Sequence, residues 1–180
     1  MKLTGRNYQI APAGQHNAVC VDFVDLGMEQ VEWKGTVKHQ HKCRIVWELE
    51  ATTEDGRRFV VGRKFTASLD EKSALRPFLE AWRGKAFTAA ELKGFDSENL
   101  VGVGALIQIV HKTVGDRTYD NVNAIMLPPK GLKWLEAAEA DGKPVYVRVK
   151  DRPAPEPAMV AVAAGDPGPL YPDDDDDLPF

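Results

Sequence analysis

The sequence has little that would suit a secreted or membrane protein. Cysteine occurs only twice, at Cys20 and Cys43, which is too few for a disulfide framework, so a reducing cytoplasm is the expected compartment. No apolar run approaches the roughly 18–20 residues that cross a bilayer. The first residues, 1–7, lack the apolar core of a secretion signal. We therefore expect neither export nor a membrane partner.

A net charge of −4 over 180 residues hides two oppositely charged parts. Residues 1–150 carry a net charge of +3, whereas residues 151–180 carry −7. The acidic average therefore does not exclude a polyanionic ligand for the first part.

The same boundary divides the chain into three predicted segments. Residues 1–150 have the composition of one folded domain. Seven of the twelve prolines fall in the last 30 residues. Residues 151–172 are rich in proline, alanine and glycine, and they lack the large apolar side chains that offset the entropy of ordering, so we predict a disordered linker. Residues 173–180 form an acidic tip.

Residues 1–150 are predicted to be mainly β. Apolar residues alternate with polar ones in the manner of half-buried strands. The five predicted strands span residues 16–26, 42–50, 57–65, 104–111 and 118–127. Asp55-Gly56 and Gly115-Asp116 favour hairpin turns.

Two further segments are predicted to be irregular or short. Residues 27–40 are polar and contain glycine, which is typical of a loop. Residues 131–150 are predicted to form a short helix around Trp134 and Leu135 and then an edge strand from Val145 to Val149.

A helical segment is predicted between the third and fourth strands. Its apolar face recurs at helical spacing through Leu75, Phe78, Leu79 and Trp82. Capping-box patterns begin at Ser68 and Thr88, and Pro77 should kink the first helix or delay its start. Three strands, a helical segment and two strands are the order of the OB-fold. We therefore predict a five-stranded OB-fold Greek-key barrel with a helical insertion between strands 3 and 4.

The chain ends in five aspartates followed by leucine, proline and phenylalanine. A tail that only improves solubility would not need the apolar Leu178 and Phe180. An aromatic carboxyl terminus can enter a small pocket whose basic rim holds the carboxylates. The predicted partner-binding residues are Asp173, Asp174, Asp175, Asp176, Asp177, Leu178, Pro179 and Phe180.

These last residues closely resemble the acidic tip of bacterial single-stranded DNA-binding proteins, which is Asp-rich and ends in Ile/Leu-Pro-Phe. The resemblance implies an OB-fold that coats single-stranded DNA and a tip that recruits replication, recombination and repair proteins. Over residues 8–130, the chain instead resembles small phage-encoded proteins associated with single-stranded DNA binding. That resemblance implies a phage protein in the cytoplasm of a host cell. The matching stretches are Phe65-Thr66-Ala67-Ser68-Leu69-Asp70-Glu71-Lys72-Ser73, Trp82-Arg83-Gly84-Lys85 and Glu91-Leu92-Lys93-Gly94-Phe95.

Basic and aromatic residues interleave between residues 33 and 65, where we predict the DNA-binding surface. A single strand needs cations for its phosphates and aromatic faces for its bases, and strands 2 and 3 of OB-folds commonly supply both. Trp47 and Phe59 alternate with other apolar residues and are assigned to the core. The predicted DNA-binding residues are Trp33, Lys34, Lys38, His39, Lys42, Arg44, Arg57, Arg58, Arg63, Lys64 and Phe65, with Lys112, Arg117 and Tyr119 near the second hairpin.

The alternatives are a magnesium-dependent phage nuclease and an adaptor that uses only its tip. No glycine-rich phosphate loop, nucleophile elbow or His-Glu-x-x-His motif occurs, which favours binding over catalysis. A nuclease would use the carboxylates of Asp22, Asp25, Glu48 and Glu50.

His39, His41 and Cys43 would share one face of a strand and, with Cys20 elsewhere in the chain, are residue types that can bind zinc. Cys43 continues an apolar face, and we expect no metal or other cofactor. The sequence leaves open the oligomeric state, the binding-site size, the recruited partner and the preference between DNA and RNA.

Overall fold

The structure, a computed structural model, describes residues 9–154 and is mainly β. Its main sheet has five antiparallel strands in the order β3-β2-β1-β4-β5, which confirms the five strands predicted. These strands are β1 (Gly14–Trp33), β2 (Thr36–Thr52), β3 (Arg58–Thr66), β4 (Gly104–Val114) and β5 (Arg117–Met126). A separate small hairpin consists of β6 (Glu139–Ala140) and β7 (Lys143–Pro144).

Two short helices and a 3₁₀ turn follow β3 in the chain. They are α1 (Leu75–Arg83), α2 (Ala89–Leu92) and the turn Ser97–Leu100, and a second 3₁₀ turn, Val149–Asp151, lies near the end of the described residues. The apolar side chains at helical spacing in α1 are buried as predicted. Within residues 9–154, no helix is long and apolar enough to cross a membrane.

The two predicted capping boxes have different outcomes. At α2, the Glu91 amide donates to Thr88 Oγ1 at 3.2 Å and the Thr88 amide donates to Glu91 Oε2 at 2.9 Å, which confirms that box. The prediction at Ser68 is wrong, because α1 begins only at Leu75. Ser68 instead accepts a hydrogen bond from the amide of Asp70 within its own turn. Pro77 lies in the first turn of α1, where its missing N–H is not needed, and this agrees with the predicted delay.

The main core lies between one face of the sheet, here called the inner face, and α1. Trp47 is fully buried on the inner face of β2, and its ring meets that of Trp82 edge-on at 5.9 Å between centroids. The indole N–H of Trp82 donates to the carbonyl oxygen of Gly104 at 3.0 Å, which ties α1 to β4. The assignment of Trp47 and Phe59 to the core is therefore confirmed.

Residues 27–40 form strands, so the prediction of a loop there is wrong. β1 and β2 continue as a two-stranded ribbon, residues 27–41, in which Met28 is the cross-strand partner of His41 and Trp33 that of Thr36. Lys34 and Gly35 form the turn with φ values of 47° and 78°, the positive pair that a tight hairpin turn requires. Within the described residues, β1 pairs with β4 only at its start, over residues 14–19, and β2 pairs with β3 only from Lys42 onward. The two strands of this arm therefore pair only with each other.

Residues 131–152, here called the strap, cross the opposite face of the sheet, which we call the outer face. Its Leu135 and Tyr146 cover an apolar cluster formed by Val19, Val21, Val24 and Val46. The predicted helix around Trp134 and edge strand from Val145 to Val149 are both wrong, because this segment contains only β6, β7 and a 3₁₀ turn.

Two buried carboxylates on the sheet explain why the strap takes this course. Asp22 is 1% exposed and accepts hydrogen bonds from Arg148 Nε at 3.0 Å, the Val149 amide at 2.8 Å and the Tyr146 hydroxyl at 3.2 Å. Glu48 is equally buried and accepts from the amide of Ala138 at 2.7 Å. A buried carboxylate without such donors would be strongly destabilising, so the strap follows its hydrogen-bond donors.

We predict that Arg148→Ala lowers the free energy of unfolding by about 2 kcal/mol or more, because it removes the charged partner of a buried carboxylate. Lys150→Ala is the matched control, since the ion pair of Lys150 within residues 9–154 is with the half-exposed Glu98, at 3.3 Å. Urea denaturation followed by circular dichroism measures both, and equal effects of the two substitutions would contradict the prediction.

Candidate nucleic-acid interface

A line of cations follows the outer face of β2 and β3. Even-numbered positions of β2 point away from the core, which places Lys38, Lys42 and Arg44 on one side of the strand. Lys64 on β3 is the cross-strand partner of Arg44 and therefore shares that side. These four residues, Lys38, Lys42, Arg44 and Lys64, are here called the cationic strip.

The Arg44–Lys64 pair places like charges directly opposite each other, which costs stability in a sheet. Lys64 is compensated, because its Nζ lies 2.5 Å from Glu29 Oε2 on the arm. Arg44 forms no hydrogen bond or ion pair with another residue in the range 9–154. The strip therefore contains one uncompensated guanidinium, which an anionic ligand would neutralise.

Gly62 gives Arg44 its position. A Cβ atom at residue 62 would lie only 3.2 Å from Arg44 Cδ and 3.2 Å from the carbonyl oxygen of Ile45. The arginine stem therefore lies across β3, where no other residue would leave equal room. The Nε of Arg44 is buried there without a hydrogen-bond partner in the described part of the chain.

Lys42 differs from the rest of the strip because its side chain is only 1% exposed. Its Nζ donates to Thr66 Oγ1 at 3.1 Å, and that hydroxyl donates to Gln40 Oε1 at 3.3 Å. The prediction treated Lys42 as a surface cation. In the structure its ammonium is held by neighbouring side chains, so Lys42 adds positive charge to the strip from below the surface.

The predicted residues of the arm lie on two different faces. Trp33 is 47% exposed at the end of β1, and Lys34 Nζ lies 5.6 Å from its ring centroid. Lys38 shares the face of Trp33 by strand alternation, whereas His39 lies on the opposite face. The arm therefore separates His39 from the cationic strip.

Phe65 and Arg63 point to the inner side of β3, away from the strip. Phe65 is 3% exposed and packs against Phe78 with 4.9 Å between ring centroids, so its ring is not available for stacking on a base. The Arg63 guanidinium lies 4.9 Å from the centroid of Phe65 and donates to the carbonyl oxygen of Val122 at 3.2 Å. Neither residue lies with the strip on the outer face, because both side chains serve the packing between β3, α1 and β5; their contact with DNA stays a prediction.

Arg57 and Arg58 lie at the far end of β2 and β3 from the arm. Arg57 is exposed in the turn. Arg58 Nη1 is 2.9 Å from Glu48 Oε1 and 2.6 Å from the carbonyl oxygen of Glu136. Arg58 therefore holds the strap, and its charge is already compensated.

The β4–β5 hairpin carries Lys112, Arg117 and Tyr119, of which Lys112 and Tyr119 are cross-strand partners. β1 pairs with β4 through its first residues, beginning with Gly14 opposite Ile109. The β4–β5 turn therefore lies beyond one end of β1, whereas the arm continues from the other end. These three residues form a second basic and aromatic surface, which lies at the opposite end of β1 from the arm and apart from the cationic strip.

The four carboxylates considered for a nuclease are each engaged separately. Asp22 and Glu48 hold the strap, and Glu50 accepts from Asn17 Nδ2 at 3.0 Å. Asp25 Oδ1 lies 2.6 Å from His41 Nε2, and this hydrogen bond lowers the pKa of Asp25. They do not converge on one position.

The cysteines and histidines considered for a metal site do not converge either. Burial raises the pKa of both Cys20 and Cys43 to about 12, which keeps their thiols protonated in the folded protein alone. His39 and His41 share the face of Cys43, as expected from alternation. Residues 9–154 contain no group of three or more histidine, cysteine, aspartate or glutamate side chains placed to hold a metal ion.

Comparisons with known proteins found no match: neither a protein-family model nor a curated protein matches this chain.

Two residues of the interface were missed in the sequence. Gly62 interrupts an otherwise regular strand pattern, and such a glycine often marks a close approach by another group, so this signal was present. Glu29 carried no such signal, because its pairing with Lys64 depends on the arm folding back as a ribbon beside β3.

We predict that Glu29→Gln strengthens the binding of a polyanion and steepens its salt dependence by about one released counterion, because it removes the carboxylate that lies 2.5 Å from Lys64 Nζ. The concentration of salt that elutes the protein from heparin measures the effect. Glu139→Gln, an equal charge change at an exposed residue of β6, is the control. Equal shifts for both variants would show that only net charge matters.

Proposed function

We propose that this protein binds single-stranded DNA with little sequence preference, coats it during phage DNA replication and recombination, and recruits partner proteins through its acidic tip. The observation that carries the proposal is the uncompensated Arg44, placed opposite Lys64 on an outer sheet face. Like charges at adjacent positions are unfavourable for the protein alone and become favourable when phosphates bind.

The strand arrangement supports an OB-fold barrel as the scaffold. β1, β2 and β3 are consecutive antiparallel neighbours, β4 pairs with β1, and the helices occur between β3 and β4. The hydrogen bond from Arg63 to Val122 brings the two outermost strands, β3 and β5, toward each other, as closure of a barrel requires. In OB-folds the face of strands 2 and 3 binds oligonucleotides, and here that face carries the cationic strip.

The chemistry proposed for the interface needs no reaction. Cations of the strip hold phosphates, and exposed aromatic rings stack on bases, which tolerates any sequence because every base has a π face. Affinity should fall steeply with salt, because each phosphate contact releases a counterion.

We predict that Arg44→Ala weakens the binding of oligo-dT several-fold and reduces the slope of log K against log salt by about 1. Anisotropy of a labelled oligonucleotide at two or more salt concentrations measures both quantities. Lys93→Ala is the control, because Lys93 is an exposed cation at the end of α2, outside the strip. Wild-type protein that binds single and double strands equally, or that binds neither, would contradict the proposal.

A second assay separates binding from catalysis. Incubating labelled single strands with the protein and magnesium should leave their length unchanged. Shortened products that disappear in Asp25→Asn would instead favour the nuclease.

The proposed tip, Asp173 to Phe180, lies outside the described residues, so its role is inferred from the sequence alone. Its charge and aromatic carboxyl terminus suit a basic-rimmed pocket on a partner. Because the last 30 residues carry a net −7, the tip can also compete with DNA for the strip.

We predict that deleting residues 173–180 strengthens DNA binding at low salt and abolishes binding of the partner protein. The first effect is measured by anisotropy and the second by pull-down from host lysate with the full chain and the truncated chain in parallel. Truncation that changes neither would refute the role of the tip while leaving the role of the strip intact.

A further inference from the structure

We propose that the bound strand continues from the cationic strip along one face of the β1–β2 arm and ends on Trp33. This inference rests on the proposed function and adds the course of the strand and its aromatic end point. The arm face concerned carries Val31, Trp33 and Lys38, and we call it the Trp33 face.

The register of the ribbon defines the Trp33 face. Thr36 is the cross-strand partner of Trp33, Lys38 that of Val31, and Lys42 that of Gly27. Partners directly opposite each other project to the same side, and residues two apart along one strand do so as well. The Trp33 face is therefore continuous with Lys42 and Arg44 on the outer face of β2.

Side-chain contacts show this continuity independently of the alternation. Lys64 of β3 reaches Glu29 of the arm at 2.5 Å. Thr66 of β3 receives Lys42 Nζ at 3.1 Å and donates to Gln40 of the arm at 3.3 Å. The side of β3 that carries Lys64 and Thr66 is thus the side on which Glu29 and Gln40 of the arm also lie.

The other face of the arm has a different character. It exposes Met28, whose side chain is 64% exposed, and it carries His39. His41 on this face is bound to Asp25, with 2.6 Å between Nε2 and Oδ1. The carboxylate at the base of this face is thus paired with a histidine, whereas Glu29 on the Trp33 face is paired with Lys64, a lysine of the cationic strip.

The distance from Arg44 to the tip of the arm determines how long an oligonucleotide must be to reach Trp33. Thr36 to Arg44 spans about 26 Å at roughly 3.3 Å per residue of strand. An oligonucleotide that covers only Arg44 and Lys64, at the sheet end of the strip, therefore does not reach Trp33, whereas a longer one that passes Lys38 stacks on its ring. The contribution of Trp33 should appear only above a threshold length of oligonucleotide.

The four tryptophans of the chain make this course measurable. Trp47 and Trp82 are buried in the core and do not meet a ligand. Trp33 and Trp134 are each 47% exposed, but Trp134 lies in the strap, where its ring packs over Gly104 of β4. Trp134 is therefore a control of equal exposure outside the proposed course.

The first experiment is quenching of tryptophan fluorescence by oligo-dT in Trp33→Phe and Trp134→Phe. Trp33→Phe should lose most of the quenching while it keeps its affinity, measured by anisotropy of a labelled oligonucleotide, because phenylalanine still stacks. Trp134→Phe should keep the quenching. Quenching that disappears in Trp134→Phe and persists in Trp33→Phe would overturn the inference.

The second experiment compares Trp33→Ala with Met28→Ala over a ladder of oligo-dT from 4 to 20 nucleotides. Losing one base stack should weaken long oligonucleotides at least about fivefold in Trp33→Ala and leave short ones unchanged. Met28→Ala, a truncation on the opposite face, should match the wild type at every length. Equal affinities of the two variants at every length would overturn the proposed course along the arm but leave the proposed function intact. Wild-type protein that binds no oligonucleotide would overturn both.

Discussion

The register between β1 and β2 is the constraint on which the rest of the structure depends. Side chains alternate along a strand, so a slip of one residue would turn Trp47 outward and bury Arg44 in the core. The large buried surface of the inner face prevents that slip. Two irregularities in β1, between Cys20 and Asp22 and between Asp25 and Gly27, let the long strand serve both the sheet and the arm.

The outer face of the sheet has two parts, which differ in whether their charged side chains find partners within the protein. One part binds the strap, and the other carries Arg44. The buried carboxylates of the first part, Asp22 and Glu48, receive hydrogen bonds from the strap, which covers that part of the face. Arg148 also donates to Glu98 and lowers the pKa of that carboxyl to about 2, so this anchor stays ionised. On the other part of the face, Arg44 has no such compensation from the described residues, and this is the part we propose for phosphates.

Much of the sheet could be predicted because its signals are local. Alternation in β2, from Cys43 to Leu49, predicts both the strand and its buried face, and the Thr88–Glu91 pattern predicts a cap that forms as expected. The arm and the strap could not be predicted. The arm has no apolar alternation of its own, and the strap is positioned by Asp22, a residue more than a hundred positions earlier in the chain.

The candidate interface, like the fold, has features that could be read from the sequence and others that depend on contacts between distant residues. The sequence by itself determined which residues are basic or aromatic, that they cluster between residues 33 and 65, and that the charge of the chain changes sign near residue 150. Only the tertiary structure decided that Arg63 and Phe65 face inward, that Arg58 binds the strap, and that Arg44 has no partner among the described residues. The physical reason is that composition is a property of single residues, whereas burial and charge compensation depend on partners brought together by pairing across the sheet.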